Sequence, residues 1–246
     1  MNIDIEIKKV NETYIKVLSK DKSTELDIKD HFAFQIQNHQ FDPRVKKGHW
    51  DGIKKLYNLK TKNLYTGLLY DLLKLCDSRG WSYQLDSNIT VPKSSLDHED
   101  LKELCEGLIC PVNDEGQELV PYDYQYEALH YMMNMGRSTS LAATSAGKSL
   151  IIYLAIRMYQ LAEEMQGKTI LVIVPTTTLV EQLYSDFEVY SSKGEWSVSS
   201  QCQKISGSYT KNINKQIVIS TWQSAMKFGF EFYDNLGAVF VDECHT

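Results

Sequence analysis

The tripeptide Gly147-Lys148-Ser149 constrains the fold of this chain more than any other feature, because of its flanks. The short run Ser140-Leu141-Ala142-Ala143 leads into it, and the long apolar stretch LIIYLAIRMYQLA leads away. A strand that turns through small residues into a helix leaves the first helical N–H groups without partners, and the peptide dipoles add positive character there. Such a turn suits an anion. Residues 142–149 fit the phosphate-loop pattern of Gly, any four residues, then Gly-Lys-Ser, with Ala142 where the first glycine is usual. On this reading Thr144, Ser145, Ala146 and Gly147 supply the backbone that wraps phosphate oxygens. Gly147 allows close approach, the Lys148 ammonium reaches the β- and γ-phosphates, and the Ser149 hydroxyl ligates Mg²⁺. The bare tripeptide also occurs in ordinary turns; the apolar run before it and the helix after it select the phosphate reading.

Three further apolar runs follow, at 170–174, 217–220 and 238–241, separated by stretches long enough for helices. With 140–143 they read as strands buried on both faces of a parallel sheet, joined by right-handed crossovers. The fold class is therefore α/β, a P-loop parallel sheet flanked by helices, preceded by a small α+β region. The last run ends in Asp242-Glu243-Cys244-His245. Two carboxylates at a strand end beside a phosphate loop suit metal and water chemistry: Asp242 holds Mg²⁺ through water, and Glu243 orients and deprotonates the attacking water. His245 is read as a coupling residue, with a plain exposed histidine as the alternative, and Cys244 as structural.

The residues before the loop carry a different pattern. Ile3, Ile5 and Ile7 alternate with polar residues as a half-buried strand would, with 14–18 as its hairpin partner. Ser23 or Thr24 is expected to cap a helix running to about Ala33. Strands are expected at 53–57 and 81–85. Leu68, Leu69, Leu72, Leu73 and Cys76 fall at helical spacing, with Gly80 as the stop. A connector follows, with one helix presenting Leu101, Leu104, Cys105 and Leu108 on one face. Between 38 and 62 lie seven basic residues against two acidic ones, in a chain of net charge −6. That local excess is the footprint of a polyanion, with Arg44, Lys46 and Lys47 on phosphates and Trp50 or Phe41 stacking on an exposed base or wedging at a junction. Solvated lysines and core aromatics are the plainer account of the same residues.

Composition excludes other classes. The five cysteines Cys76, Cys105, Cys110, Cys202 and Cys244 form no CxxC pair, which argues against a disulfide framework or a zinc knuckle and for a reducing, cytoplasmic compartment. No apolar run approaches the ~18 residues that span a bilayer, so no membrane partner is expected. The start, MNIDIEIKKV, lacks the apolar core of a signal peptide.

Taken in order, these motifs resemble those of superfamily-two DExH helicases. Residues 142–149 are similar to motif I, and Asp242 to His245 to the DExH box. Val174-Pro175-Thr176-Thr177-Thr178-Leu179-Val180-Glu181-Gln182 resembles motif Ia, and Ser220-Thr221-Trp222-Gln223-Ser224 the later segment. In the family both touch the nucleic-acid backbone, which implies DNA contacts by Pro175, Thr176, Thr177, Thr221 and Trp222. Tyr124-Gln125-x-x-Ala128 resembles the Q motif, whose Gln amide serves N6 and N7 of adenine. The family often has Arg two residues before that Tyr, where this chain has Tyr122, so that part of the adenine contact differs. The segment from Phe41 through Trp50 to Gly52 resembles the UvsW-type helicases of T-even bacteriophages.

The resemblance implies a DNA-binding α+β unit over 1–86, a connector with one helix over 87–117, and a first RecA-like ATP-binding lobe over 118–246. It implies ATP and Mg²⁺ as cofactors, duplex or branched DNA as substrate in recombination, repair and replication, a monomer, and the host-cell cytoplasm. A second RecA-like lobe, with its arginine fingers, is a partner that these 246 residues do not contain. Such fingers are worth ~10³–10⁵ in rate, so the 246 residues alone are expected to bind ATP–Mg²⁺ weakly and turn it over slowly. The competing account is a non-catalytic DNA-binding module or scaffold that needs a separate second motor lobe.

Overall fold

A computed structural model describes residues 3–89, 96–207 and 212–244. The chain divides into two compact units, residues 1–92 and 93–246.

In the first unit, β1 (Ile5–Lys9) and β2 (Tyr14–Ser19) form an antiparallel hairpin with Ile7 opposite Val17. Helix α1 (Lys22–His31) follows, then β3 (Ala33–Gln35), α2 (Pro43–Lys46), β4 (Ile53–Lys55), β5 (Asn63–Tyr65), α3 (Leu69–Arg79) and β6 (Tyr83–Leu85). The main sheet has the order β5-β2-β1-β6, with β6 parallel to β1, while β3 and β4 make a separate two-stranded ribbon. Ile5, Ile7, Ile15, Val17 and Leu64 point into a core completed by Ile28, Leu72 and Cys76. Tyr57 is buried there, its hydroxyl donating to the Val17 carbonyl at 2.9 Å. Gly80 ends α3 in the left-handed region at φ 67°, as the sequence pattern requires.

Two local expectations change. Helix α1 is capped by Asp21, whose carboxylate accepts from the Ser23 N–H, and it stops at His31. Asp21 outcompetes Ser23 and Thr24 because the same carboxylate also accepts from the Ser23 and Thr24 hydroxyls. The strands at 53–57 and 81–85 shrink to three residues each. Past Lys55 the Leu56 N–H turns to the Phe32 carbonyl, and Tyr57 enters the core.

The second unit begins with α4 (His98–Lys102), which runs into a π-helical turn, Glu103–Ile109. Then come α5 (Asp123–Met135), α6 (Lys148–Leu161), β7 (Thr169–Val174), α7 (Thr177–Tyr190), α8 (Val198–Gln201), β8 (Cys202–Ile205), β9 (Ile217–Thr221), α9 (Trp222–Ala225), α10 (Phe230–Asp234) and β10 (Leu236–Val241). The four strands are parallel, in the order β10-β7-β9-β8. Helix α6 is apolar nearly all round and sits in the main core with Leu129, Ile170, Val172, Phe187 and Ile219. The structure is thus α/β with a parallel sheet flanked by helices, behind a mixed α+β unit.

The run 140–143 is a correction. It forms no strand, and Leu141 is almost fully exposed. Among the described residues the sheet ends at β10, which pairs only with β7. An apolar run becomes a strand only where a neighbour takes up its N–H and C=O groups. For the same reason β10 is not buried on both faces: Val239 and Val241 are half exposed, alternating with covered neighbours.

Leu72 is fully buried under the first sheet. Leu72→Ala is expected to destabilise that unit by about 2–5 kcal/mol, read as a lower urea midpoint. A change within experimental error would show that α3 does not pack where described.

Candidate nucleotide-binding site

The site grows from the loop that starts α6. Ser145 and Gly147 both take the left-handed backbone, at φ 65° and 69°. A nearby pair of such residues curls successive N–H groups inward, the geometry of an anion nest. Gly147 is the N-cap of the 14-residue α6, and no side chain caps that end. Its first N–H groups are therefore free to meet a phosphate.

Two side chains from the start of α5 hold this loop. The Gln125 amide nitrogen and the Tyr124 hydroxyl both donate to the Ala146 carbonyl, each at 3.1 Å. The other end of the Gln125 amide accepts from the Tyr122 N–H at 2.9 Å. Gln125 is 3% exposed. A Cβ at position 147 would collide with its amide nitrogen. Glycine is thus required there twice, for the positive φ and for the close approach.

The acidic pair arrives from β10. The Asp242 N–H donates to the Ile173 carbonyl at 2.9 Å, continuing the pairing of β10 with β7 one residue past the strand. Glu243 turns into the left-handed region at φ 51°, and its N–H donates to Asp242 Oδ1 at 3.0 Å. That turn brings Glu243 Oε1 onto the Lys148 ammonium as an ion pair between partly exposed side chains. The bond from Glu243, with added attraction from Glu243 and Asp242, raises the Lys148 pKa. Lys148, Asp242 and Glu243 thus converge on one place, beside the loop.

Ser149 points elsewhere. Its hydroxyl lies 2.9 Å from the Tyr190 hydroxyl on α7. Asp186, one turn earlier on α7, has its pKa raised by burial, partly offset by the neighbouring Ser149 hydroxyl. Sequence reading did not single out Asp186 or Tyr190; their spacing of four puts them on one helix face, but no motif marks it.

The segments from Pro175 and from Thr221 lie at the ends of β7 and β9. Thr176 caps α7, accepting from the Leu179 N–H at 3.3 Å, and Thr177 opens that helix, exposed. Pro175 is half-buried. The Thr221 hydroxyl is buried and donates to Ser224, while Trp222 is half exposed. His245 lies outside the described residues.

In the first unit, Arg44 grips Asp42 through two bonds of 3.1 and 2.8 Å, holding the Asp42 carboxyl at about 2. The Arg44 guanidinium also lies 4.7 Å over the Trp50 ring, whose N–H donates to the Ile53 carbonyl. Phe41 is two-thirds exposed, with the Lys46 ammonium above it, and Lys47 is exposed. Trp50 therefore has one face covered and its polar edge engaged, whereas Phe41 is open.

Comparison with known proteins gives this geometry a family. Residues 122–246 match the DEAD/DEAH box helicase model. The chain belongs to the DEAD/DEAH box helicase family. Residues 3–86 match the model for the N-terminal part of DNA helicase UvsW. The chain is 33% identical over 230 residues to the ATP-dependent DNA helicase uvsW of Enterobacteria phage T4, covering 92% of this chain and 43% of that protein. It thus spans under half the length of the curated relative it matches. A crystal structure of the UvsW helicase from bacteriophage T4 matches with a TM-score of 0.74 at 29% identity, covering 99% of this chain and 83% of that one. A second T4 UvsW structure matches with the same TM-score and identity, with 48% of its chain covered.

Membership of a helicase family that uses ATP makes the fit of nucleotide and metal a question of geometry. The uncapped helix start, the nest and Lys148 suit a triphosphate. Among the described residues no three His, Cys, Asp or Glu side chains cluster as metal ligands. Magnesium at a nucleotide needs only one or two carboxylates, the phosphates supplying the rest, and Asp242 fits that need.

Gly147→Ala is expected to force the loop open, since a left-handed Ala costs roughly 1–2 kcal/mol before the collision with Gln125 is counted. Amide hydrogen exchange should rise at 144–150 and stay unchanged in the first unit. Equal protection in both proteins would show that Gln125 does not clamp this turn.

Proposed function

We propose that this chain carries the ATP-binding lobe and the DNA-binding front unit of an ATP-dependent helicase or translocase acting on duplex or branched DNA in recombination, repair and replication. The observation that carries the proposal is the convergence of Lys148, Asp242 and Glu243 beside an anion nest at the start of α6. Bound ATP and Mg²⁺ supply the transferable phosphoryl group and the cation that neutralises it. The residues of the chain do the rest. Lys148 exchanges Glu243 for phosphate oxygens. Glu243, once released, would accept a proton from the attacking water. Asp242, fixed by its bond to β7, presents its carboxylate to the metal. Ser149 joins it by giving up Tyr190.

The parallel register supports a link to DNA. Val174 stands opposite Thr221, and Val241 opposite Ile173. The residues that follow β7, β9 and β10 therefore leave the sheet at one edge, the carboxyl edge, where α/β sheets bind their ligands. Pro175, Thr176, Thr177, Thr221 and Trp222 lie on the same edge as the carboxylates and are proposed to meet the nucleic-acid backbone. In the front unit Lys46 and Lys47 are proposed to meet phosphates, beside the exposed Arg44 whose guanidinium lies over Trp50. Coupling requires that ATP and DNA each change the affinity for the other by the same factor.

Titration with Mg·ATP and with forked duplex DNA, singly and together, tests the reading. Lys148→Ala is expected to weaken Mg·ATP binding by at least tenfold, about 1.4 kcal/mol. Glu243→Gln should bind Mg·ATP at least as tightly as the parent, because the competing ion pair is gone. Mg·ATP affinity indifferent to Lys148 would remove the proposal. For DNA, replacing Lys46 and Lys47 together by Ala should flatten the slope of log affinity against log salt by about 2. An unchanged slope would take the front unit out of the DNA interface.

A further inference from the structure

We propose that Tyr190 is a positioning residue of the nucleotide site: it holds the Ser149 hydroxyl against α7, so that Ser149 reaches a nucleotide-bound metal only by breaking that bond. The Mg²⁺ concentration at which the site fills is then set in part from α7, outside the loop. The inference rests on the nucleotide reading of the Lys148 site and adds a residue that regulates its use of metal.

Ser149 is the second residue of α6, and its hydroxyl lies 2.9 Å from that of Tyr190, 41 residues away in sequence. A serine hydroxyl in a helix ordinarily bonds to nearby backbone or to water. Here it crosses to a different helix. Lys148, its neighbour, is engaged as well, by Glu243. The two side chains that a phosphate loop turns toward phosphate and metal thus each have a protein partner, and the partners stand on different elements.

The two ends of the Ser149–Tyr190 bond differ in freedom. The Tyr190 ring packs on that of the fully buried Tyr153, with centroids 5.5 Å apart. Phe187 and Trp196 pack on the same Tyr153 ring, at 5.4 and 5.6 Å. The Tyr190 carbonyl accepts from the Val112 N–H at 3.1 Å. Tyr190 is therefore held at its ring and at its backbone. Ser149 is half-buried and needs to turn only one side-chain torsion. A change of partner moves Ser149 and leaves the Tyr190 hydroxyl short of a bond. That loss falls only on the form in which Ser149 is a metal ligand; a nucleotide bound without metal leaves the bond in place.

The test titrates Mg²⁺ into the full chain at a fixed ATP concentration, in the parent and in Tyr190→Phe, and reads nucleotide binding. Phenylalanine keeps the ring on Tyr153 and removes the hydroxyl. The half-saturating Mg²⁺ concentration is expected to fall about two- to tenfold, the worth of one hydrogen bond. ATP with EDTA present should bind both proteins equally. In a Ser149→Ala background Tyr190→Phe should change nothing, which separates the latch from a packing effect of the missing hydroxyl. An unchanged Mg²⁺ requirement in Tyr190→Phe, or a shift that persists in the Ser149→Ala background, would overturn the proposal and leave the Lys148 site standing. A raised requirement would overturn it too, making Tyr190 the acceptor of the proton of a metal-bound Ser149. Mg·ATP binding that survives Lys148→Ala would remove the nucleotide reading itself, and the latch with it.

Discussion

Everything in the second unit that bears on chemistry depends on one constraint, the parallel register of β7, β9 and β10. Parallel strands all finish at the same edge, so the segments that leave them emerge as neighbours although they are far apart in sequence. Asp242 shows how tightly this is drawn. Its N–H makes one further bond to the Ile173 carbonyl beyond the strand, and Glu243 then turns back at positive φ toward Lys148. A slip of one residue in the pairing of β10 with β7 would send that carboxylate to the opposite face. The register, more than any local contact, is why residues 95 apart share an ion pair.

The ion pair is a weak stabiliser. Both side chains are partly exposed, and such pairs contribute about 1 kcal/mol or less. Its significance is in the exchange it permits. An ammonium and a carboxylate that neutralise each other at the mouth of a nest can be separated by a triphosphate at little cost, because the phosphate charge replaces the carboxylate charge. Gln125 has the opposite character. It is buried, both ends of its amide are bonded, and a glycine lies against it. One contact is suited to being broken, the other to keeping the loop in shape.

How much of this was legible beforehand follows from where the information lies. The strands β7 and β9 stand out in the sequence because burial on both faces demands an unbroken apolar run, and the glycine of the loop because a positive φ demands it. The run at 140–143 reads equally well as a strand, yet forms none, since strand formation is decided by a neighbour that composition cannot show. The cap of α1 moved from Ser23 or Thr24 to Asp21 for a similar reason: only geometry shows which side-chain oxygen collects the most bonds. Trp50 and Phe41 are both aromatic residues among lysines, and nothing in the sequence separates the ring that Arg44 covers from the one left open. The face of α7 that carries Asp186 and Tyr190 toward Ser149 belongs to no motif at all.

That face suggests how occupancy at one place could be felt at another. Helix α7 has Thr176 at its N-cap and Tyr190 in its last turn. At 1.5 Å per residue its 14 residues span roughly 21 Å. Ser149 bonds to one end, and a proposed DNA contact caps the other. If Ser149 turned to a metal, the Tyr190 hydroxyl would lose its partner, so the end of α7 next to Ser149 would have to readjust. A helix moves as a rod when its own backbone bonds are intact, and a shift at Tyr190 then reaches Thr176 without any chain of intermediate side chains.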